Sequence, residues 1–293
     1  MTTKLYLCIQ FIQYMDYVSP LRYPGGKGKL APFFQQVIEK NDLRGGVYVE
    51  PYVGGGAVAL SLLFSGAINR IVINDKDRSI YAFWHSVLNL TDDLCQLIAE
   101  TPINMDTWHQ QKEFQRKGVK EKTDLLTLGF SSFFLNRTNR SGIIKGGVIG
   151  GQNQDGNYKI NARFKQKDEL IRRIRKISDF RDRIELHNED AAELTNLLRD
   201  ELPQNTIFYF DPPYYVKGEG LYMNYYKDKD HEAMANAIRQ ITNQKWIVTY
   251  DPQDYIKQLY HDFRQKEFNL NYSANNTGKA KEVMIYSNNL NIP

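Results

Sequence analysis

The segment Thr206-Ile207-Phe208-Tyr209-Phe210-Asp211-Pro212-Pro213-Tyr214 constrains this chain more than any other. Thr206 to Phe210 is a continuous apolar run, without the polar alternation of a half-exposed strand. A strand of this kind is covered on both faces, which is the situation inside a parallel sheet flanked by helices. The two prolines that follow lack backbone N–H groups and stiffen the turn. Asp211 is thereby left at the carboxyl end of a buried strand, where open parallel sheets bind their ligands.

The remaining pattern agrees. Gly46 to Val49 and Arg70 to Ile73 predict short strands, with a small-residue helix from Gly56 to Phe64 between them. Strand, glycine turn, helix, strand is the order of a parallel βαβ unit. Ile80 to Leu90 is an amphipathic helix. Later come a strand at Arg183 to Leu186, a helix at Ala191 to Arg199, a helix at Asp230 to Ile241 and a strand at Trp246 to Tyr250. Phe268 to Tyr272 and Glu282 to Tyr286 predict a terminal hairpin.

The middle of the chain breaks this alternation. Apolar residues at three- and four-residue spacing predict helices over Asp106–Lys117, Asp124–Leu135 and Lys167–Ile177. Asn136 to Asn161 carries six glycines and reads as a long loop, a feature that is usually functional or disordered in a compact chain. The expected organisation is a catalytic unit of residues 1–83 and 183–293, interrupted by an inserted unit at 84–182.

Charge follows the same division. Residues 112–145 hold eight basic against three acidic side chains, and residues 163–183 hold nine against four. Together they carry +10, which leaves −6 on the rest of a chain whose net charge is +4. A basic middle on an otherwise acidic protein suits a polyanionic partner; a solvated helix surface is the plainer alternative. No apolar run approaches the ~20 residues of a membrane span. Lys4 to Met15 is apolar but interrupted by Gln10 and Gln13, so it does not read as a signal peptide; Met15 is an alternative start. Cys8 and Cys95 make neither a disulfide framework nor a zinc site, which points to a cytoplasmic protein.

Two glycine clusters precede the Asp-Pro-Pro-Tyr turn. Val49-Glu50-Pro51-Tyr52-Val53-Gly54-Gly55-Gly56-Ala57 follows a strand and opens a helix, yet lacks the dinucleotide G-x-G-x-x-G. Asp75 stands 21 residues after Gly54, where an acid accepts hydrogen bonds from ribose hydroxyls. Together they suggest an adenosine-bearing cofactor without a pyrophosphate. Leu21-Arg22-Tyr23-Pro24-Gly25-Gly26-Lys27-Gly28-Lys29 resembles a phosphate loop but has no Ser or Thr after Gly-Lys. Lys27 remains suited to a carboxylate. At the third motif, the Asp211 carboxylate and the Pro212 carbonyl form a stiff pair of acceptors for the two hydrogens of an exocyclic amine. Tyr214 supplies a flat face for the heterocycle that bears it.

Arg22-Tyr23-Pro24-Gly25-Gly26-Lys27, Glu50 to Gly56, Asn74-Asp75, Phe134-Leu135-Asn136-Arg137-Thr138 and Asp211 to Tyr214 occur in that order. In this the chain resembles the Dam-like, D12 class (alpha group) of DNA adenine-N6 methyltransferases, from about Pro20 to Asn288. The resemblance implies a Rossmann-like α/β methyltransferase sheet with a helical, glycine-rich DNA-recognition insertion. It implies S-adenosylmethionine as cofactor, no metal, and double-stranded DNA as partner. Tyr23, Lys27, Glu50, Gly54, Gly56, Asp75, Asp190 and Asp211 are the implied cofactor residues, and Asp211, Pro212 and Tyr214 the catalytic ones. Arg137, Asn139, Arg140 and Lys145 are the DNA-contacting candidates, on base edges or on phosphates. The implied activity is site-specific methyl transfer to N6 of an adenine rotated out of the duplex. Methylation of RNA adenine and a non-catalytic DNA-binding role are the alternatives. A monomer working beside an independent restriction endonuclease, in a bacterial or phage setting, completes the expectation.

Overall fold

The computed structural model describes residues 18–23, 26–118, 124–216, 226–271 and 279–293. The expectations for Lys4–Met15, Cys8, Pro24, Gly25 and Tyr272 lie outside them. Parallel strands β1 (Val47–Glu50), β2 (Arg70–Asn74), β3 (Ile184–His187), β4 (Thr206–Phe210) and β5 (Lys245–Tyr250) form the sheet with antiparallel β6 (Arg264–Asn271) and β7 (Lys279–Tyr286). The strand order is β3-β2-β1-β4-β5-β7-β6. The chain runs outward from β1 through β2 to β3, then returns to pair β4 with β1. That reversal opens a crevice at the carboxyl ends of β1 and β4, which is where such sheets bind ligands.

Side-chain alternation explains the layers. Tyr48, Ile71, Ile73, Ile207, Tyr209, Ile247 and Met284 belong to one apolar cluster, and Val47, Val49, Val72, Phe208, Phe210, Val248 and Val283 to the other. Successive strand residues point to opposite faces, so unbroken apolar runs are required when both faces are covered. Helices α8 (Ala191–Glu201), α9 (Asp228–Arg239) and α10 (Asp254–Leu259) cover one face with Leu194, Met234 and Ile256.

The other face is covered by α1 (Ala31–Lys40), α2 (Ala57–Phe64), α3 (Arg78–Asn89), α4 (Thr91–Glu100), α5 (Met105–Gly118), α6 (Leu125–Thr138) and α7 (Lys167–Ser178). Phe83 and Trp84 of α3, Phe133 and Phe134 of α6, and Ile174 of α7 share one cluster with Tyr48 and Tyr209 of the sheet. Gly129 lets α6 lie against α3: a Cβ there would stand 2.5 Å from the Ala82 carbonyl oxygen. The division expected at residue 84 therefore falls inside α3, and the helices of the 84–182 segment complete the sheet's own core. Helices α1, α4 and α10 were not anticipated from the sequence. Among the described residues, no helix is long and apolar enough to cross a membrane.

Candidate active site

A cavity of about 1390 Å³ opens over the carboxyl ends of β1, β2 and β4. Its first wall is the turn after β1. Gly54 (φ 44°) and Gly56 (φ 62°) hold left-handed backbone, which glycine adopts without steric penalty. Space is closed there as well: a Cβ on Gly54 would lie 2.6 Å from the Tyr23 ring, and one on Gly56 3.0 Å from Trp84. The Trp84 indole donates to the Gly54 carbonyl at 3.0 Å and so fixes the back of the loop.

Asp75 follows β2 and ties itself to that loop. Its carboxylate accepts the Gly54 N–H at 3.0 Å and the Asp77 N–H at 2.9 Å. Burial, reinforced by the neighbouring Asp77 carboxylate, lifts Asp75 to about 7 against those two donors. Buried Asn74 links the glycine turn to the turn after β3, donating to the carbonyls of Pro51 (2.9 Å) and Glu189 (3.1 Å). Asp190 caps α8 through the Ala192 N–H (2.9 Å) and pairs with Lys76 at 2.9 Å. Burial raises its carboxyl, but Lys76 and the backbone donors outweigh that and leave it below its ordinary value. Lys76 and Ala191, its neighbours, line the cavity; Asp190 is not among the lining residues.

The turn after β4 brings Asp211 against Lys27, 184 residues away in sequence. Lys27 precedes a short 3-10 turn that leads into α1, and it is 5% exposed. A lysine so deeply buried needs paired acceptors. Its Nζ donates to Asp211 Oδ1 at 3.0 Å and Oδ2 at 3.3 Å, and to the Tyr214 hydroxyl at 3.0 Å. Glu282 Oε1 stands 3.4 Å from it. Thr249 of β5 donates to Asp211 Oδ1 at 2.9 Å, and the Tyr209 hydroxyl lies 2.9 Å from the Thr249 oxygen. Asp251 accepts the N–H groups of Tyr215 (2.9 Å) and Val216 (3.2 Å), holding the chain just past the Asp-Pro-Pro-Tyr turn. Glu50 lines the same cavity, buried at the end of β1. Burial, then the Asp211 charge, pushes its carboxyl well above the usual carboxylate range.

At the far side the middle segment contributes cations. Arg22, Arg137, Arg163 and Arg173 all line the cavity. Burial, then the charges of Arg22, Arg173 and Arg163, holds Arg137 far below its ordinary value, at about 9. Arg137 Nε donates to the Arg163 carbonyl at 2.7 Å, and Arg22 Nη1 to the Asn139 carbonyl at 3.3 Å. Arg140 is exposed on the lining, and Lys145 is exposed.

Asn139 requires a correction. It is fully buried, accepts the Trp108 indole N–H at 2.7 Å and donates to the carbonyls of Ile143 (3.0 Å) and Ile144 (2.8 Å). With its side chain engaged inside the protein it braces the 139–148 loop, and it does not fit the role of reading a base edge.

This geometry accompanies a family match. The family model described as D12 class N6 adenine-specific DNA methyltransferase matches residues 23–274. The chain belongs to that family. A curated relative, the Type II methyltransferase M.MjaIII of Methanocaldococcus jannaschii, is 23% identical over 286 residues, spanning 91% of this chain and 96% of that protein. The enzyme is thus a DNA adenine-N6 methyltransferase on a Rossmann-like, mostly parallel sheet, and the RNA-directed and non-catalytic alternatives are not favoured. Methyltransferases of this family imply use of S-adenosylmethionine in general. Sequence reasoning missed Glu282, Thr249, Tyr209 and Asp251. The first lies outside the matched residues, and none belongs to a short motif. The signal for Thr249 and Asp251 was their place at the end of a buried strand beside β4.

Proposed function

We propose that the methyltransferase holds S-adenosylmethionine between the glycine turn and Asp75, and methylates an adenine rotated out of double-stranded DNA at a specific sequence. The residues present fit that cofactor. Asp75 offers a carboxylate at the end of β2 to ribose hydroxyls. The Gly54–Gly56 turn leaves bare backbone where any side chain would strike Tyr23 or Trp84. Glu50 and Asp211 place acidic groups in a cavity that would receive a sulfonium, and Glu50 Oε2 closes no hydrogen bond among the described residues. S-adenosylmethionine supplies an activated methyl group.

The protein's part is positioning and electrostatics. The adenine amino nitrogen is a weak nucleophile because its lone pair is delocalised into the ring. Asp211 and the Pro212 carbonyl accept its two hydrogens and favour a pyramidal nitrogen aligned for in-line attack; its N–C bond would form as the sulfonium C–S bond breaks, with S-adenosylhomocysteine leaving and one amine proton released. Thr249 and Tyr209 fix the Asp211 carboxylate on the strand side. Tyr214 stacks on the base. Lys27 donates to both Asp211 oxygens, so the incoming amine takes over positions already shaped for an N–H donor. Arg22, Arg137, Arg163 and Arg140 face the phosphate backbone, and base extrusion is required because the amine is out of reach inside a duplex.

The observation that carries this reading is the convergence of Asp211, Lys27, the glycine turn and Asp75 on one cavity. The same reading has a cytoplasmic monomer acting beside an independent restriction endonuclease; the type II designation of M.MjaIII supports the restriction-modification part of that setting. Methylome sequencing of DNA from cells expressing the chain tests it. One short sequence carrying N6-methyladenine is the expected result. Unmodified DNA, or methyl groups on RNA alone, overturns it.

A further inference from the structure

Glu282 is a carboxylate with 1% exposure, and no sequence motif announces it. It stands near the start of β7, opposite Phe268 of β6, and the next residue, Val283, pairs with Tyr250 of β5. Because β7 runs against β5, the start of β7 lies at the carboxyl end of β5, beside the catalytic turn. Alternation along the strand puts Glu282 on the same face as Met284 and Tyr286, the face that also carries α1 and the loop before it.

Its contacts are with the catalytic group itself. Glu282 Oε1 lies 3.4 Å from Lys27 Nζ and accepts the Tyr214 hydroxyl at 2.5 Å, while that hydroxyl accepts from Lys27 at 3.0 Å. Lys27, Tyr214 and Glu282 thus close a ring of contacts, with Asp211 attached to it through Lys27. The Lys27 and Glu282 side chains are 3% and 2% exposed, so water does little to screen either charge. Breaking a buried ion pair leaves an uncompensated charge and is strongly unfavourable. A substrate amine that needs the Asp211 oxygens is neutral and brings no counter-charge for the displaced ammonium.

Resting on the reading of Asp211 as the amine acceptor, we propose that Glu282 is a positioning residue for methyl transfer. It keeps a carboxylate on Lys27 and an acceptor on the Tyr214 hydroxyl, so that Lys27 yields Asp211 to the amine while retaining its ion pair. Asp211 then receives the substrate, and Tyr214 keeps its place beside it.

The test compares wild type, E282Q, Lys27→Met and the double variant. The assay is single-turnover transfer of tritiated methyl from S-adenosylmethionine to unmethylated plasmid DNA. E282Q is expected to lower the rate at saturating DNA and cofactor by about 10²-fold, the scale of a misplaced reacting group. Its calorimetric affinity for S-adenosylmethionine and its melting temperature stay at wild-type values. In the Lys27→Met background, which has no ammonium to balance, E282Q adds little further loss. A wild-type rate in E282Q overturns the proposal. So do losses that multiply in the double variant, or a loss that appears only with a lowered melting temperature. If E282Q does not fold, Tyr214→Phe removes the hydroxyl link while keeping the carboxylate; its rate must fall, and a wild-type rate overturns the proposal. Wild-type protein that leaves plasmid adenine unlabelled sinks the reading of Asp211 instead, and the two failures are thereby separated.

Discussion

At the Asp211 end of the cavity one buried ammonium, Lys27, stands among the Asp211 and Glu282 carboxylates and the Tyr214 hydroxyl. At the opposite end the guanidinium groups of Arg22, Arg137, Arg163 and Arg173 crowd together, and among the described residues no carboxylate pairs with the first three. In the first arrangement the ammonium is more than balanced by carboxylates, two against one. On the proposed reading it admits a ligand by exchange, one N–H donor for another, and so favours a neutral amine of the right shape. The second is unbalanced. Like charges held close repel until an anion enters, and phosphate suits the planar forks of arginine. In the proposed function, selection of the base and attraction of its backbone fall to separate walls of one cavity.

Breaking the carboxylate wall has the largest expected effect. Asp211→Ala removes an acceptor that the amine meets in the transition state, and methyl transfer is expected to fall by about 10³-fold or more. DNA binding remains measurable by filter retention. Normal tritium incorporation by that variant would refute the assignment of Asp211.

Next comes the glycine turn. Gly54→Ala places a methyl group against the Tyr23 ring at a backbone angle that alanine adopts with strain of ~1–3 kcal/mol. Calorimetry with S-adenosylmethionine is expected to show affinity reduced by about 10-fold. Unchanged affinity would place the cofactor elsewhere.

The cationic wall responds to salt. Arg137→Ala is expected to weaken DNA binding and to lower the steepness of its salt dependence by about one phosphate contact. S-adenosylmethionine affinity stays the same. Loss of turnover with an unaltered salt slope would assign Arg137 to the carboxylate side.

The smallest effect is a proton count. Asp75 is held at about 7, above the value of an unfolded chain. Its contribution to stability is therefore full below the unfolded value and is lost as pH rises through about 7. Ribose hydroxyls donating to the carboxylate favour its ionised form, so cofactor binding releases up to about one proton close to that pH. Titration calorimetry in buffers of different ionisation heat measures the release, and Asp75→Asn abolishes it.

Much of the fold was legible in the sequence. The apolar run at Thr206–Phe210, the glycines before Ala57 and the acid at the end of the second strand each reflect a local requirement. They express burial on two faces, positive φ, and the end of a parallel strand. Helix α1 escaped, although Pro32 stands in its first turn, where proline is tolerated. Trp84, at the expected edge of the insertion, holds the Gly54 loop from within α3 through its indole. Asn139 had the chemistry of a base reader, yet burial beside Trp108 gave its amide another use. Burial is a property of the packed chain and is not written at one position.

By itself the sequence determined the layered α/β architecture, the glycine turn after β1 and the Asp-Pro-Pro-Tyr turn after β4, because each follows from contacts within a few residues or from strand periodicity. Only the tertiary structure decided that Lys27 meets Asp211, that an antiparallel strand delivers Glu282 to the same lysine, and that four arginines share one wall. Those pairings join residues from opposite ends of the chain. Chain reversal and long-range packing set the distances, and charge then acts on whatever the fold has brought together.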